Sequence, residues 1–145
     1  MKELVFRKSE LSSVKGILLS FKLKGKQSRL RMRLVREIDS AITELDKEEQ
    51  LLLDENALKD DQGEFVKIKR EVNGQMLDYY DFDDEAAFIR EMKLLFEEPV
   101  VVDQEKFKEE LEMILTAIDE SDGELSGQEA IAHDLLYQKI SDSLD

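Results

Sequence analysis

Leu30, Leu34, Ile38, Ala41, Ile42 and Leu45 recur at three- and four-residue spacing, and this run does most to limit the folds open to the chain. At about 100° per residue the six fall on one continuous stripe. The spacing therefore predicts a long helix over 27–53 with that stripe against a core. Lys26, Arg29, Arg33 and Arg36 project from the other side. The same helix is basic in its first half and acidic in its second, changing sign near Glu37. A helix dipole prefers acids at the N-terminus and bases at the C-terminus, so the order runs against it, at roughly a few tenths of a kcal/mol per surface charge. The charge order points to some role other than helix stability.

The inversion repeats at larger scale. The chain of 145 residues has a formal charge of −14. Residues 1–72 carry 16 basic and 14 acidic side chains, whereas 73–145 carry 5 basic and 21 acidic. Residues 7–36 hold ten Lys or Arg against the single Glu10, and 37–64 hold eleven acids against Lys47 and Lys59. Blocks of this kind imply a pairing surface, within the chain or with another molecule.

An apolar fraction of 41% is too high for a disordered chain, and the length suits one domain with a real core. There is no cysteine, which excludes disulfides, thiol catalysis and zinc–thiolate sites. The start, MKELVFRKSEL, lacks the apolar core and cleavage site of a signal peptide. No apolar run approaches the roughly 20 residues that span a bilayer. A cytoplasmic protein is expected.

Around the long helix the pattern predicts further elements. Glu3 to Arg7 reads as a short strand or the lead into a helix. Ser9 is placed to cap a helix running to about Phe21, with Leu11, Val14, Leu18 and Phe21 on one face. Lys59-Asp60-Asp61-Gln62-Gly63-Glu64 is a turn. Residues 65–72 and 76–82 flank Asn73-Gly74, a hairpin signal; such a ribbon is marginal alone and is expected to pack on the helices. Asp83 or Asp84 caps a helix to about Glu98, with Phe88, Met92, Leu95 and Phe96 inward, ended by Pro99. Val100 to Val102 reads as an extended link. Asp103 caps a helix carrying Phe107, Leu111, Ile114, Leu115 and Ile118 inward. After a polar loop, Ser126-Gly127-Gln128-Glu129 matches a capping box, with Ile131, Leu135 and Ile140 of the last helix inside. The expected fold is a single α+β domain, predominantly helical, with about five helices and one small β-hairpin.

Catalysis needs convergent groups, and the chain offers few. His133, the only histidine, stands beside Asp134, but a lone helical histidine is more often structural or exposed. No nucleophile elbow, phosphate-binding loop, H-E-x-x-H or dinucleotide fingerprint occurs. The cluster Asp119-Glu120-Ser121-Asp122-Gly123-Glu124 is dense in carboxylates but lacks the ligand spacing of a calcium loop. Asp81, Asp83, Asp84 and Glu85, with Lys67 or Lys69 before them, raise a nuclease-type metal site; without a second acidic motif Asp83 and Asp84 read better as helix caps. No catalytic residue, cofactor or metal is expected.

Binding fits better. Glu97, Glu98, Glu105, Glu109, Glu110, Glu112, Asp119, Glu120, Asp122 and Glu124 would form an acidic surface that imitates a nucleic-acid backbone. Such a surface would occupy the cationic groove of a nucleic-acid-binding protein, with fast and salt-dependent association. The opposite face, Lys22, Lys24, Lys26, Arg29, Arg33 and Arg36, would contact phosphates. It lacks interleaved aromatics for base stacking, and the net charge repels polyanions, so nucleic acid is the less favoured partner. The plainer readings are a solubilising acidic exterior and a basic face neutralised by the acidic C-terminal half.

The chain also resembles an uncharacterised phage-protein family defined only as a domain of unknown function. The resemblance rests on Leu23-Lys24-Gly25-Lys26 leading into Ser28-Arg29 and Arg31, and on Glu44-Leu45 within an acidic run. Lys59-Asp60, Gly63, Phe82-Asp83-Asp84-Glu85, Val100-Val101-Val102 and Leu125-Ser126-Gly127 continue it over most of the chain. It implies a temperate phage or prophage of Gram-positive bacteria and carries no catalytic residue over. The expected function is that of a phage accessory binding protein acting in the host cytoplasm. Its most concrete form is an anti-CRISPR-like inhibitor of a host nucleic-acid-binding enzyme, such as the nuclease Cas9. The alternatives are a phage assembly factor, self-associating through its charge blocks, and a nucleic-acid-binding regulator that uses residues 22–36. No membrane partner is expected.

Overall fold

A computed structural model of the protein describes residues 2–121 and 123–145. The protein is α+β and predominantly helical, with five α-helices and two small antiparallel sheets among the described residues. The order is β1 (Leu4–Arg7), α1 (Leu11–Ser20), α2 (Gly25–Asn56), β2 (Lys67–Val72), β3 (Gln75–Tyr80), α3 (Glu85–Glu97), β4 (Pro99–Val102), α4 (Lys108–Asp119) and α5 (Gly127–Leu144). The chain divides into two compact units. One combines 1–44 with 97–145, and the other is 45–96.

The first unit holds the main core. β1 and β4 pair antiparallel, with Leu4 opposite Val102 and Phe6 opposite Val100. Alternation along both strands turns Leu4, Phe6 and Val102 inward and leaves Val101 exposed. Residues 100–102, expected as a link, are therefore a strand. Leu11, Val14 and Leu18 of α1 pack on the same cluster as Leu30, Leu34 and Ile38 of α2. Phe107 with Leu111 and Ile114 of α4 completes it, together with Leu136 and Ile140 of α5.

Four local expectations are corrected here. Ser9 does not cap α1: residues Lys8–Glu10 form a 3-10 turn, and the Arg7 N–H donates to Glu10 Oε1 at 2.8 Å. Asp103 accepts from the Glu105 and Lys106 N–H groups, both at 3.0 Å, but that turn precedes a helix beginning at Lys108. In α5 the buried stripe is Leu136, Ile140 and Ser143, while Ile131 and Leu135 are 63% and 54% exposed. Ser126 stands at the N-cap of α5 but makes no side-chain capping bond.

The second unit is thin. Its fully buried apolar side chains are Leu45, Ala57 and Leu95. Asn73 and Gly74 both take positive φ, 52° and 79°, the mirror-image turn that suits a two-residue hairpin. β2 and β3 pair in register from Lys67 opposite Tyr80 to Val72 opposite Gln75. Every residue of β3 is exposed. The base of the hairpin is held by main chain: Leu58 N–H donates to Asp81 O, and Val66 N–H to Leu58 O. Asp84 Oδ1 accepts from Ala87 N–H at 3.0 Å, which fits its expected role at the start of α3.

Candidate functional site

Within the first unit the basic block lies against acids. Lys26 Nζ is 2.9 Å from Glu109, and Arg33 Nη1 is 3.6 Å from Glu110, whose side chain is only 8% exposed. Lys15 meets Asp39 at 2.6 Å, Arg7 meets Glu97 at 3.2 Å and Lys8 meets Glu98 at 3.1 Å. The Lys26 ammonium holds the Glu109 carboxyl below the usual carboxylate range, first through their hydrogen bond and then through its charge. Arg31 serves the backbone instead. Its guanidinium donates to the carbonyls of Phe21 and Leu18, closing the end of α1, where a cation complements the helix dipole.

The proposed acidic surface is thus partly consumed. Glu97, Glu98, Glu109 and Glu110 carry internal partners. Glu112 reaches Lys108 only at 4.0 Å, and Asp119 accepts from the Tyr137 hydroxyl at 3.4 Å. Glu105, Glu120 and Glu124 are exposed, and Asp122 lies outside the described residues. On the basic face, Lys22, Lys24, Arg29 and Arg36 are exposed and make no ion pair among the described residues.

His133 stacks edge-on against Phe21 with ring centroids 5.8 Å apart. It lines a pocket of about 420 Å³ with Lys22, Glu120 and Glu129. Its Nδ1 is buried without a hydrogen-bond partner, and no hydrogen bond joins it to Asp134. No cluster among the described residues groups three or more metal-ligating side chains, and no helix among them is long and apolar enough to cross a membrane.

The second unit contains a groove that the sequence reading did not single out. It has a volume of about 430 Å³. Tyr79, Tyr80, Phe82 and Phe88 line it on one side, and Asp46 and Glu49 of α2 on another. Phe82 stacks on Phe88 at 4.5 Å, and Phe65 meets Tyr80 edge-on at 5.1 Å. Arg70 stands 5.3 Å over the Tyr79 ring and grips both carboxylate oxygens of Glu85, at 3.1 and 2.8 Å. This pins the Glu85 carboxyl below its usual range. Glu49 moves the other way: burial raises its carboxyl above the ordinary range, and neighbouring Asp46 adds to this. A compositional signal was present, since six of the chain's ten Phe and Tyr residues fall within 45–96.

The fold is α+β and predominantly helical. No family model, no curated protein and no solved structure matches the chain.

Proposed function

We propose that the protein acts by binding a cationic macromolecular partner through its acidic surface, without catalysis of its own. The internal neutralisation of the basic block is the observation that carries this reading. Five of the ten cations in 7–36 sit in ion pairs and Arg31 is bonded to carbonyls. Each pair matches one cation with one acid, so the basic block is largely neutralised at the surface while the chain keeps its net charge of −14. The most concrete form is a mimic of nucleic acid that occupies the groove of a basic, nucleic-acid-binding protein. In the phage setting that the resemblance implies, this partner is a host defence nuclease of the Cas9 kind, met in the host cytoplasm. Glu105, Glu112, Glu120 and Glu124 are the carboxylates of the sequence-derived set that are exposed and not closely paired, and they supply the field.

A second reading draws on Lys22, Lys24, Arg29 and Arg36, the cations left exposed. They suit an assembly factor in which they meet the acids of a neighbouring copy.

Affinity capture from bacterial lysate across a salt series, with mass spectrometry, separates the two. The first reading expects a basic nucleic-acid-binding protein that is lost as salt rises. Recovery of no partner, together with salt-sensitive self-association in sedimentation, contradicts it and favours the second.

A further inference from the structure

We infer that the groove of the 45–96 unit is a docking site for a short cationic segment of a partner protein, one that presents an arginine or lysine between apolar side chains. The inference rests on the reading that the protein acts through its acidic surface, and gives that surface a specific place.

Charge selects the occupant. The 45–96 unit carries fifteen acids against seven bases. Of the acids at the groove, Glu85 is already satisfied by Arg70. Asp46 and Glu49, one turn apart on α2, have no cation or hydrogen-bond partner among the described residues. Two adjacent carboxylates beside an apolar wall repel each other, and an incoming cation offsets both that repulsion and the cost of desolvating Glu49. The rings of this unit already accept such groups: Arg70 lies over Tyr79, Lys67 over Tyr80 at 5.7 Å and Lys59 over Phe65 at 5.3 Å.

Shape and edge select a polypeptide. A volume of about 430 Å³ matches side-chain and small-ligand sites in general. β3, which supplies Tyr79 and Tyr80, pairs among the described residues only with β2 and so has a free edge to which an extended chain can add. Ile89 of the groove lining is 45% exposed, an apolar side chain that a Leu of the segment would cover.

The test uses a fluorescein-labelled peptide of alternating arginine and leucine, with a glutamate–leucine peptide as control, read by anisotropy. The intact protein should bind the first and not the second. The double substitution Asp46→Asn and Glu49→Gln keeps the side-chain shapes and should weaken binding by about tenfold or more. Glu3→Gln and Asp142→Asn, exposed acids of the other unit, should leave it unchanged. Tyrosine emission supplies a local readout, because the chain has three tyrosines and no tryptophan. In a Tyr137→Phe background only Tyr79 and Tyr80 remain, so binding in the groove should alter their emission. Failure of the peptide to bind overturns the docking site. Equal loss in both pairs of variants also overturns it, while leaving the general acidic-surface reading intact. A dimer of the protein that the Asp46 and Glu49 substitutions dissolve would assign the groove to a second copy and overturn the proposal.

Discussion

The Arg33 guanidinium stands 3.6 Å from the carboxylate of Glu110, a side chain buried to 8% exposure on α4. Burial strips water from that carboxylate, and the guanidinium offsets part of the cost. Arg33→Ala should therefore destabilise the protein by about 1–2 kcal/mol, less than a fully buried pair because the arginine is half in solvent. Adding Glu110→Gln should recover most of the loss. Urea unfolding of both variants checks this, and a loss that Gln does not recover would place it elsewhere.

Arg31 and Arg36 lie on the same helix in one basic block but do different work. Arg31→Ala removes the donor to two carbonyls at the end of α1 and should lower stability by about 1–3 kcal/mol. Arg36→Ala removes an exposed cation and should change it by less than about 0.5 kcal/mol. Thermal unfolding of the two variants distinguishes them.

The register of α5 is open to a direct test. Ile140 is 0% exposed, and Ile140→Ala should lower stability by about 2–5 kcal/mol. Ile131→Ala and Leu135→Ala should each fall within about 0.5 kcal/mol of wild type. Comparable large losses at Ile131 and Leu135 would restore the stripe read from sequence, which placed both inside with Ile140.

The raised carboxyl of Glu49 and the lowered carboxyl of Glu109 predict losses on acidification in different pH ranges. Glu109 titrates lower in the folded protein than in the unfolded chain. Its contribution is present above the ordinary carboxylate pKa and lost as pH falls through the lowered one. The stability gap between wild type and Glu109→Gln should therefore close on acidification, as denaturant unfolding at stepped pH would show. Glu49 gains its proton above the ordinary range, so affinity for the arginine–leucine peptide should begin to fall while most surface carboxylates are still charged. Glu49→Gln should remove that early fall, seen in the anisotropy titration repeated on acidification.

The stripe from Leu30 to Leu45 was legible because a 3.6-residue period over many turns has one solution, and α2 runs only two residues before and three beyond the helix read over 27–53. The hairpin was legible because Asn73-Gly74 favours one turn type. β1 and β4 were not recognised as a pair, because four-residue strands joined across most of the chain leave no local trace. In α5, Ile131 with Leu135 and Leu136 with Ile140 form two equally spaced stripes, and only packing decides between them. Charge blocks were visible, but which Lys meets which Glu depends on how α2 and α4 pack. The aromatic groove went unread because Tyr79 and Tyr80 look like ordinary strand residues until α2 is placed beside them.

The central claim is that the acidic surface takes the place of nucleic acid on a cationic partner. The most direct measurement is the anisotropy of labelled DNA bound to the captured partner, titrated with this protein at several salt concentrations. The account predicts that the signal falls to that of free DNA, with displacement weakening as salt rises. A rise in signal, from a complex of all three or from DNA binding by this protein alone, would contradict it.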